Sequence, residues 1–358
     1  MAIPEFETLF PTMVVGSLPR AQWVCDLVED RTAGKVDEAE ADALLDAAVL
    51  FAIRMQERAG LDYISDGEFR RENYVRVFAD RVEGFRRSPV GGLQATHVVS
   101  KIRSDRPIAC SDADFLRRNT DRKIIVAIPS PFTVGRHLWH PEHSRKAYPT
   151  REEFVEECAD IIRKEVIELA KIGVDAIQLD EPWQAWMANP GLYLLNTDEE
   201  IQAGVDLSIK MVNRVIQGLD NVFFSVHLCH THGVEAEICE KSTNRIMDAV
   251  NRIHADRVAM EFNSEASGGF EKLQIFPADK LLGLGVIDNT SSEVEDVETV
   301  LKRVEKALKY VPKERIVLNP DCGFSTSAAS PKNFDTAYQK LRVMCEAAAV
   351  MRKSAATD

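Results

Sequence analysis

The sequence predicts an α/β fold, a single (β/α)8 TIM barrel with an excursion after the second strand. Eight short apolar runs rich in Val and Ile have the length of buried parallel strands, and stretches with helical periodicity follow nearly all of them. That alternation is typical of a parallel barrel. A doubly wound sheet is the alternative, but the glycine-rich phosphate loop expected after its first strand is absent at Val15–Pro19.

The individual elements follow from apolar periodicity and from the residues that end each run. Two predicted helices end at Gly60 and Gly173, which suit a left-handed C-cap. The predicted strands are Met13–Val15, Asp62–Ser65, Ile124–Ile128, Val174–Leu179, Val222–Val226, Arg257–Phe262, Leu282–Ile287 and Ile316–Leu318. The predicted helices are Glu38–Ala59 and Arg151–Ile172, with others near Asp198–Gln217, Ser242–Ile253, Glu293–Lys309 and Phe334–Arg352.

We expect one domain over residues 1–358, because no linker, repeat or break in composition interrupts this pattern. The polar stretch 84–122 is too long for an ordinary loop between a strand and a helix, so it is expected to form an inserted arm or hairpin near the barrel mouth. Residues 354–358 are expected to be a frayed tail.

Composition restricts the possible functions. The 358 residues carry 44 Lys and Arg against 57 Asp and Glu, a net charge of −13, which argues against a nucleic-acid partner. No signal peptide precedes the first predicted strand, and no apolar run is long enough to span a membrane, so we expect a cytoplasmic protein. The seven cysteines have no repeated spacing, which favours buried thiols or metal ligands over disulfides.

Zinc-type ligands follow three of the predicted strands, where barrel enzymes build their sites. His227 and Cys229 lie two apart on an extended segment and therefore share a face. With Cys322 and a carboxylate they would form a four-coordinate site of the kind zinc prefers. Buried cysteines and histidines are common in proteins that bind no metal. What favours a metal site here is that separate segments bring such residues to the same end of the predicted barrel. Glu261 could instead pair with an arginine such as Arg257.

Two acids, Glu68 and Asp180, follow or end two other predicted strands. An unpaired buried carboxylate is costly, so each acid needs a cationic partner or a cationic substrate. An internal salt bridge with Arg70 or Arg71 is the simpler interpretation. Four further histidines occupy loop-like stretches without the spacing of a second metal site: His97, His137, His140 and His143.

These segments resemble the catalytic, C-terminal barrel of cobalamin-independent methionine synthases, within the uroporphyrinogen decarboxylase/methionine synthase-like superfamily. The resemblance runs in order along nearly the whole chain. The segments that carry it are Val15–Ser17, Leu61–Phe85 with Asp66–Glu68, Gly173–Pro182, His227–Cys229, Met260–Asn263 and Asn319–Gly323. The combination of one His, one Glu and two Cys separates the zinc-bearing branch from the decarboxylase branch.

The resemblance implies a zinc-dependent methyltransferase that transfers a methyl group to homocysteine and yields methionine. The implied Zn²⁺ ligands are His227, Cys229, Glu261 and Cys322. The implied substrate-binding residues are Ser17, Glu68 and Asp180, and the candidate catalytic residues are Asp180, Glu68 and Asp288. Two thiolates, a carboxylate and an imidazole would lower the pKa of a bound thiol and keep the thiolate reactive.

Two departures from the family leave the methyl donor open. The family's full-length enzymes carry a second, N-terminal barrel that helps to hold a folate polyglutamate, and 358 residues leave no room for it. The family also has a histidine two residues beyond the position of Asp288, where this chain has Thr290; His230 or His232 could substitute. Methyl-tetrahydrofolate, methylcobalamin or a corrinoid protein all stay possible donors, with an accessory protein as a possible partner.

Three other interpretations stay open. The same zinc site could serve another thiol, for example in opening an epoxide, although Glu68 and Asp180 disfavour a sulfonated one. A zinc-free decarboxylase or lyase could use Asp66, Glu68 and Asp180 as acid–base groups. A non-catalytic regulator fits least well, because so many strand ends carry reactive side chains.

Overall fold

The computed structural model describes residues 6–86, 96–182, 197–228, 245–263, 269–325 and 333–356. Within these ranges the strands are β1 (Tyr63–Ile64), β2 (Glu83–Arg86), β3 (His97–Arg103), β4 (Lys123–Pro129), β5 (Ala176–Asp180), β6 (Phe223–His227), β7 (Arg257–Met260), β8 (Leu281–Ile287) and β9 (Ile316–Pro320). The helices are α1 (Gln22–Thr32), α2 (Glu38–Ala59), α3 (Arg76–Arg81), α4 (Cys110–Arg118), α5 (Pro131–Leu138), α6 (Arg151–Ile172), α7 (Asp198–Ile216), α8 (Val297–Leu308) and α9 (Phe334–Ala355). Residues 245–252 are also helical.

The two long helices α2 and α6 end where the sequence predicts. Asp37 caps the start of α2 and Thr150 the start of α6, each accepting a hydrogen bond from a backbone N–H of the first turn. Gly60 and Gly173 follow the last turns with φ of 95° and 82°, a region that glycine enters without steric cost. Both predicted helices are confirmed. No helix of the described ranges combines the length and the apolar character required to cross a membrane.

Seven strands form one parallel sheet in the order β1-β4-β5-β6-β7-β8-β9. The strands β5, β7 and β8 are buried along their whole length, as expected when helices cover a parallel sheet. Because all seven run the same way, their carboxyl ends lie along one edge, which we call the carboxyl edge. Asp180 at the end of β5, for example, lies opposite His227 at the end of β6.

Residues 11–13, which we call the seam, contact both outer strands of this sheet. Leu318 of β9 exchanges backbone hydrogen bonds with residues 11 and 13, at 2.8 and 2.9 Å. On the other side, the Tyr63 N–H of β1 donates to the Thr12 carbonyl at 3.1 Å. The seam therefore joins the first and last strands of the sheet order.

The predicted first strand, Met13–Val15, is wrong as a strand, because the contact with β9 is an isolated bridge at Thr12. The reason is a side chain. The Asp62 carboxylate accepts both the Thr12 backbone N–H and its hydroxyl, each at 2.8 Å. That N–H is consequently not available to the carbonyl of a neighbouring strand, and the ladder stops.

The described parts of residues 84–122, a stretch which we call the excursion, lie outside the main sheet, and the chain enters that sheet again at β4. Here β2 and β3 pair antiparallel as a separate two-stranded sheet, and α4 follows them. Tyr148 fastens the excursion to the rest of the chain, because its hydroxyl accepts the Ile102 N–H of β3 at 2.8 Å. The Tyr148 carbonyl in turn accepts a hydrogen bond from the Trp139 indole at 3.0 Å.

The C-terminal helix α9 continues to Ala355, so Ser354 and Ala355 are helical and the predicted frayed tail begins too early. The physical reason is Arg352 in the last turns of α9. Its guanidinium donates to two backbone carbonyls just ahead of the seam, at 2.7 and 2.9 Å, and pairs with Asp62 at 2.6 Å. Residues 357 and 358 lie outside the described ranges.

Candidate active site at the carboxyl edge

Four predicted site residues lie at or directly after the ends of neighbouring strands. Asp180 ends β5, His227 ends β6, Glu261 follows β7 and Cys322 follows β9 by two residues. All four side chains are buried. The fifth such residue, Cys229, lies outside the described residues. Parallel topology therefore brings the four described residues to one edge of the sheet.

Asp180 holds the ring of His227. The His227 Nδ1 and the Asp180 Oδ1 are 3.2 Å apart, and Gln178 donates to the same carboxylate oxygen at 2.9 Å. Burial opposes a charge on the ring, yet the hydrogen bond with Asp180 and the neighbouring Cys322 sulfur raise the pKa of His227 to about 10. A carboxylate on one imidazole nitrogen is the usual partner arrangement of a histidine that binds metal through the other nitrogen.

Asp321 joins the segments that carry Glu261 and Cys322. Its Oδ1 accepts the Phe262 N–H at 3.1 Å and the Asn263 side-chain amide at 2.7 Å. These contacts fix the chain after β9 against the chain after β7. Burial outweighs them and raises the pKa of Asp321 to about 7. The sequence reasoning did not select Asp321, although an acid directly after an apolar strand was a signal that could have found it.

The donor chemistry of the described residues fits zinc, since an imidazole, a carboxylate and a thiol are all buried at one edge. These three side chains do not, however, form a compact set of ligand atoms. Within the described ranges, the one group of three such side chains whose ligand atoms lie within 4.8 Å of each other is His140, Glu142 and His143. The ligand set of His227, Cys229, Glu261 and Cys322 therefore stays a prediction.

Glu68 occupies an unusual backbone conformation at the end of the turn that follows β1. It has a φ of 61° directly after Gly67 at 68°, and a side chain larger than glycine rarely adopts that left-handed region. Residues held in this way cluster at functional sites. The Glu68 N–H donates to the Asp66 carboxylate at 3.1 Å, which stabilises the turn.

The carboxylate of Glu68 is buried and lies 3.8 Å from the Arg71 guanidinium. The simpler interpretation of Glu68, an ion pair with Arg71, is therefore observed, at a long distance. Arg70 instead pairs with Asp46 and Asp112. Burial raises the pKa of Glu68 to about 7; Asp180 and Asp66 add to the rise, while Arg71 and Arg20 oppose it.

Ser17 lies between the Glu68 turn and the chain after Cys322. The Phe324 N–H donates to the Ser17 carbonyl at 2.7 Å, and the next backbone N–H donates to the Ser17 hydroxyl at 3.3 Å. On the other side, the N–H of residue 18 donates to the carbonyl of residue 67 at 3.1 Å. A Cβ added to Gly16 would lie 2.8 Å from Glu68 Oε1, so the two segments are in close contact.

The carboxylate of Asp288 stabilises the loop in which it lies. Its Oδ1 accepts the Thr290 N–H at 2.7 Å and the Thr290 hydroxyl at 2.6 Å, and despite burial these bonds lower the pKa of Asp288. Thr290, which stands where the resemblance expects a histidine, is thus a partner of Asp288. The catalytic role of Asp288 stays a prediction, and His230 and His232 lie outside the described residues.

Arg257, the alternative partner of Glu261, bonds to other residues. Arg257 begins β7 and Glu261 follows its end, so the length of the strand separates them. The Arg257 guanidinium is fully buried and donates to Asn319 at 2.5 Å and to Ser225 at 3.3 Å. Burial lowers the pKa of Arg257 to about 9.

The chain is similar to known proteins along almost its whole length. Proteins named methionine synthase from Pyrococcus furiosus and Saccharolobus solfataricus are each 28% identical, over 96% of this chain and 94% and 96% of theirs. A solved B12-independent methionine synthase from Shewanella sp. W3-18-1, in complex with selenomethionine, has a TM-score of 0.79 at 24% identity, covering 98% of this chain and 100% of that one.

A putative vitamin-B12-independent methionine synthase from Listeria monocytogenes has a TM-score of 0.72 at 21% identity, covering 96% of this chain and 98% of that one. These two structures support the α/β fold with its parallel sheet. Residues 10–350 match the family model described as the catalytic domain of cobalamin-independent synthases. Because that match includes every described strand, the chain belongs to the cobalamin-independent synthase family.

Proposed function

We propose that this protein transfers a methyl group to the thiol of homocysteine, with a zinc ion held by His227, Cys229, Glu261 and Cys322. Membership of the family and the name of the relatives, methionine synthase, support an enzyme that transfers methyl groups. The observation that carries the proposal is the 3.2 Å contact between Asp180 and His227. Asp180 thus contacts the imidazole of the proposed metal site and also acts electrostatically on Glu68.

The acids around Glu68 suit the ammonium group of an amino acid. The carboxylates of Asp66 and Asp180 raise the pKa of Glu68, and the guanidiniums of Arg71 and Arg20 oppose that rise. Asp66 Oδ2 is buried and accepts no hydrogen bond from the described part of the chain. An α-ammonium would supply the missing positive charge and restore the ionised form of Glu68. Homocysteine carries that ammonium together with its thiol.

The chain's own residues would position both ends of this substrate. Zinc, when bound, lowers the pKa of a coordinated thiol while leaving it nucleophilic toward the methyl carbon. Asp180 orients His227 through Nδ1 and so leaves Nε2 as the nitrogen for the metal. Asp321 holds the segments of Glu261 and Cys322 in register. Ser17, tied to the segment after Cys322, would close the pocket over the substrate.

We propose methyl-tetrahydrofolate as the donor. The family is described as cobalamin-independent, which gives no support to methylcobalamin or to a corrinoid partner. Thr290, bonded to Asp288, supplies no imidazole at the place where the family protonates the departing folate. We also propose that the seam closes the sheet into a barrel, in the place of an eighth strand, and that residues 1–358 form one domain; the hydrogen bonds of the seam to β1 and β9 support closure.

The test measures methionine formed from homocysteine with methyl-tetrahydrofolate, and separately with methylcobalamin. Wild type is compared with Cys322→Ser and with the control Cys25→Ser, which alters a thiol on α1. We expect turnover with the folate donor, and a loss of about one zinc ion per chain together with turnover in Cys322→Ser alone. Turnover with methylcobalamin only would contradict the donor, and equal zinc content in both variants would contradict the ligand set.

A further inference from the structure

Three histidines from two segments that are distant in sequence meet where the excursion touches the turn after α5. His97 begins β3, and His140 and His143 lie in that turn. The ring centroids of His97 and His143 are 4.8 Å apart, those of His140 and His143 are 5.0 Å apart, and those of His97 and His140 are 5.3 Å apart. We call these three residues and Glu142 the histidine cluster. It shares no residue with the candidate active site.

The turn itself is closed by backbone and side-chain hydrogen bonds. The His140 carbonyl accepts the N–H groups of His143 and Ser144, at 3.1 and 2.8 Å. The Ser144 hydroxyl accepts the His140 N–H at 3.0 Å. This geometry places the side chains of His140 and His143, three residues apart, on the same side of the turn.

The opposite wall of the cluster is also held in place. Tyr148 bonds through its hydroxyl to β3, the strand that His97 begins, and through its carbonyl to Trp139, the residue before His140. Both polypeptide segments of the cluster are thus fixed to one tyrosine. Preorganisation of this kind lowers the entropic cost of binding a ligand between two segments.

The cluster contains suitable ligand atoms for a metal ion and a buried ring nitrogen that makes no hydrogen bond with the described residues. One ligand atom each from His140, Glu142 and His143 lies within 4.8 Å of the others. His97 Nδ1 is buried and makes no hydrogen bond with the residues that the structure describes.

We propose that His97, His140, His143 and Glu142 form a second metal site, for a divalent transition ion such as Zn²⁺ or Ni²⁺. Three imidazole nitrogens and one carboxylate oxygen match the ligand preference of these ions. Glu142 supplies the negative charge of this set, and Arg86 lies opposite His97 in the β2–β3 register. The bound ion would cross-link the excursion to the turn after α5. This proposal is independent of the proposed function.

Binding requires two local adjustments. Nitrogen ligands on a tetrahedral zinc lie about 3.3 Å apart, given bonds of about 2.0–2.1 Å, so the side chains must rotate inward. The His140 Nδ1 accepts the Glu142 N–H at 3.2 Å. Whichever nitrogen of His140 binds the ion, that hydrogen bond is lost, since Nδ1 then either coordinates or carries the proton. His97, His143 and Glu142 need no such exchange.

The test uses tag-free, chelator-treated full-length protein carrying Cys322→Ser, which disables the proposed thiolate site. Ni²⁺ and Zn²⁺ are titrated calorimetrically into this protein alone and into versions that add His143→Ala or, as a control, His254→Ala. His143 and His254 are both exposed, so neither change should prevent folding. We expect about one ion per chain at micromolar affinity, weakened by more than about 10-fold by His143→Ala only.

Co²⁺ provides a second measurement. An imidazole and carboxylate site gives cobalt visible absorption without the intense near-ultraviolet band of thiolate coordination, and that spectrum should vanish with His143→Ala or His97→Ala. Absence of micromolar binding in the Cys322→Ser protein, or equal affinity with and without His143→Ala, would overturn the proposal. Neither result bears on zinc loss caused by Cys322→Ser, so the two sites are tested separately.

Discussion

Replacing Glu68 with glutamine should stabilise the protein above neutral pH while weakening its affinity for homocysteine. Burial raises the pKa of Glu68 from 4.5 to about 7. Between those values the folded protein holds a proton that the unfolded chain has released, so the free energy of unfolding falls as the pH rises and levels off above about pH 7. The difference between a pKa of 4.5 and one of about 7 corresponds to about 3 kcal/mol in the free energy of unfolding.

The glutamine variant does not ionise and should lack this decline. We expect it to match wild type in stability near about pH 4.5 and to exceed it by up to about 3 kcal/mol near about pH 8. Its homocysteine KM should rise, because the ammonium group loses a carboxylate partner. The gain in stability and the loss of binding come from the same buried charge, which is typical of a functional site.

Urea unfolding over this pH range and steady-state kinetics measure the two effects. Glu165→Gln is the matched control, since Glu165 is a buried acid that accepts the N–H groups of Ala109 and Cys110 at 2.6 and 2.9 Å. That change should cost about 1–3 kcal/mol and leave the homocysteine KM unchanged. The role of Glu68 is refuted if the free energies of unfolding of Glu68→Gln and wild type vary with pH in the same way, or if the two proteins have the same KM for homocysteine.

Three further substitutions test the contacts around the site. Asp180→Asn should weaken zinc binding by about 10–100-fold, measured by competition with a chromophoric chelator; unchanged affinity would refute its role in orienting the imidazole. Gly16→Ala places a methyl group 2.8 Å from Glu68 Oε1, so homocysteine KM should rise, and an unaltered KM would exclude close contact. Gly285→Ala forces a Cβ against the Asp321 carboxylate, and urea unfolding should show a loss of about 1–3 kcal/mol rather than wild-type stability.

Seven of the eight predicted strands exist because a buried parallel strand requires a continuous apolar run, a property that the sequence carries locally. The eighth, Met13–Val15, fails because the Asp62 carboxylate takes the Thr12 N–H. Asp62 lies fifty residues along the chain, so this competition has no local signature. The antiparallel pairing of β2 with β3 lies in the stretch that is expected to form an inserted arm or hairpin, but the composition of that stretch does not specify which residues pair.

The candidate sites also divide into features that a local sequence pattern predicts and features that depend on long-range packing. His227, Glu261 and Cys322 could be selected because strand ends of a parallel sheet meet at one edge. Asp321 could have been selected in the same way, but its role in joining two segments is visible only from its bonds to the chain after β7. The histidine cluster is visible only from the turn at His140 packing against β3. Spacing along the sequence reports neither contact, because each depends on how distant segments pack.

The seam contacts its two neighbouring strands through only a few backbone hydrogen bonds, so it can loosen while the ladder of β5 and β6 stays intact. Ser17 lies just beyond the seam, whereas Asp180 and His227 belong to the continuous ladder of β5 and β6. Transient parting of the seam from Leu318 would open the side that receives the substrate and leave the imidazole of His227 in place. The amide hydrogen of Leu318 should therefore exchange with deuterium faster than the amide hydrogens of β6. The rate of this local opening would then limit the rate at which the amino acid enters.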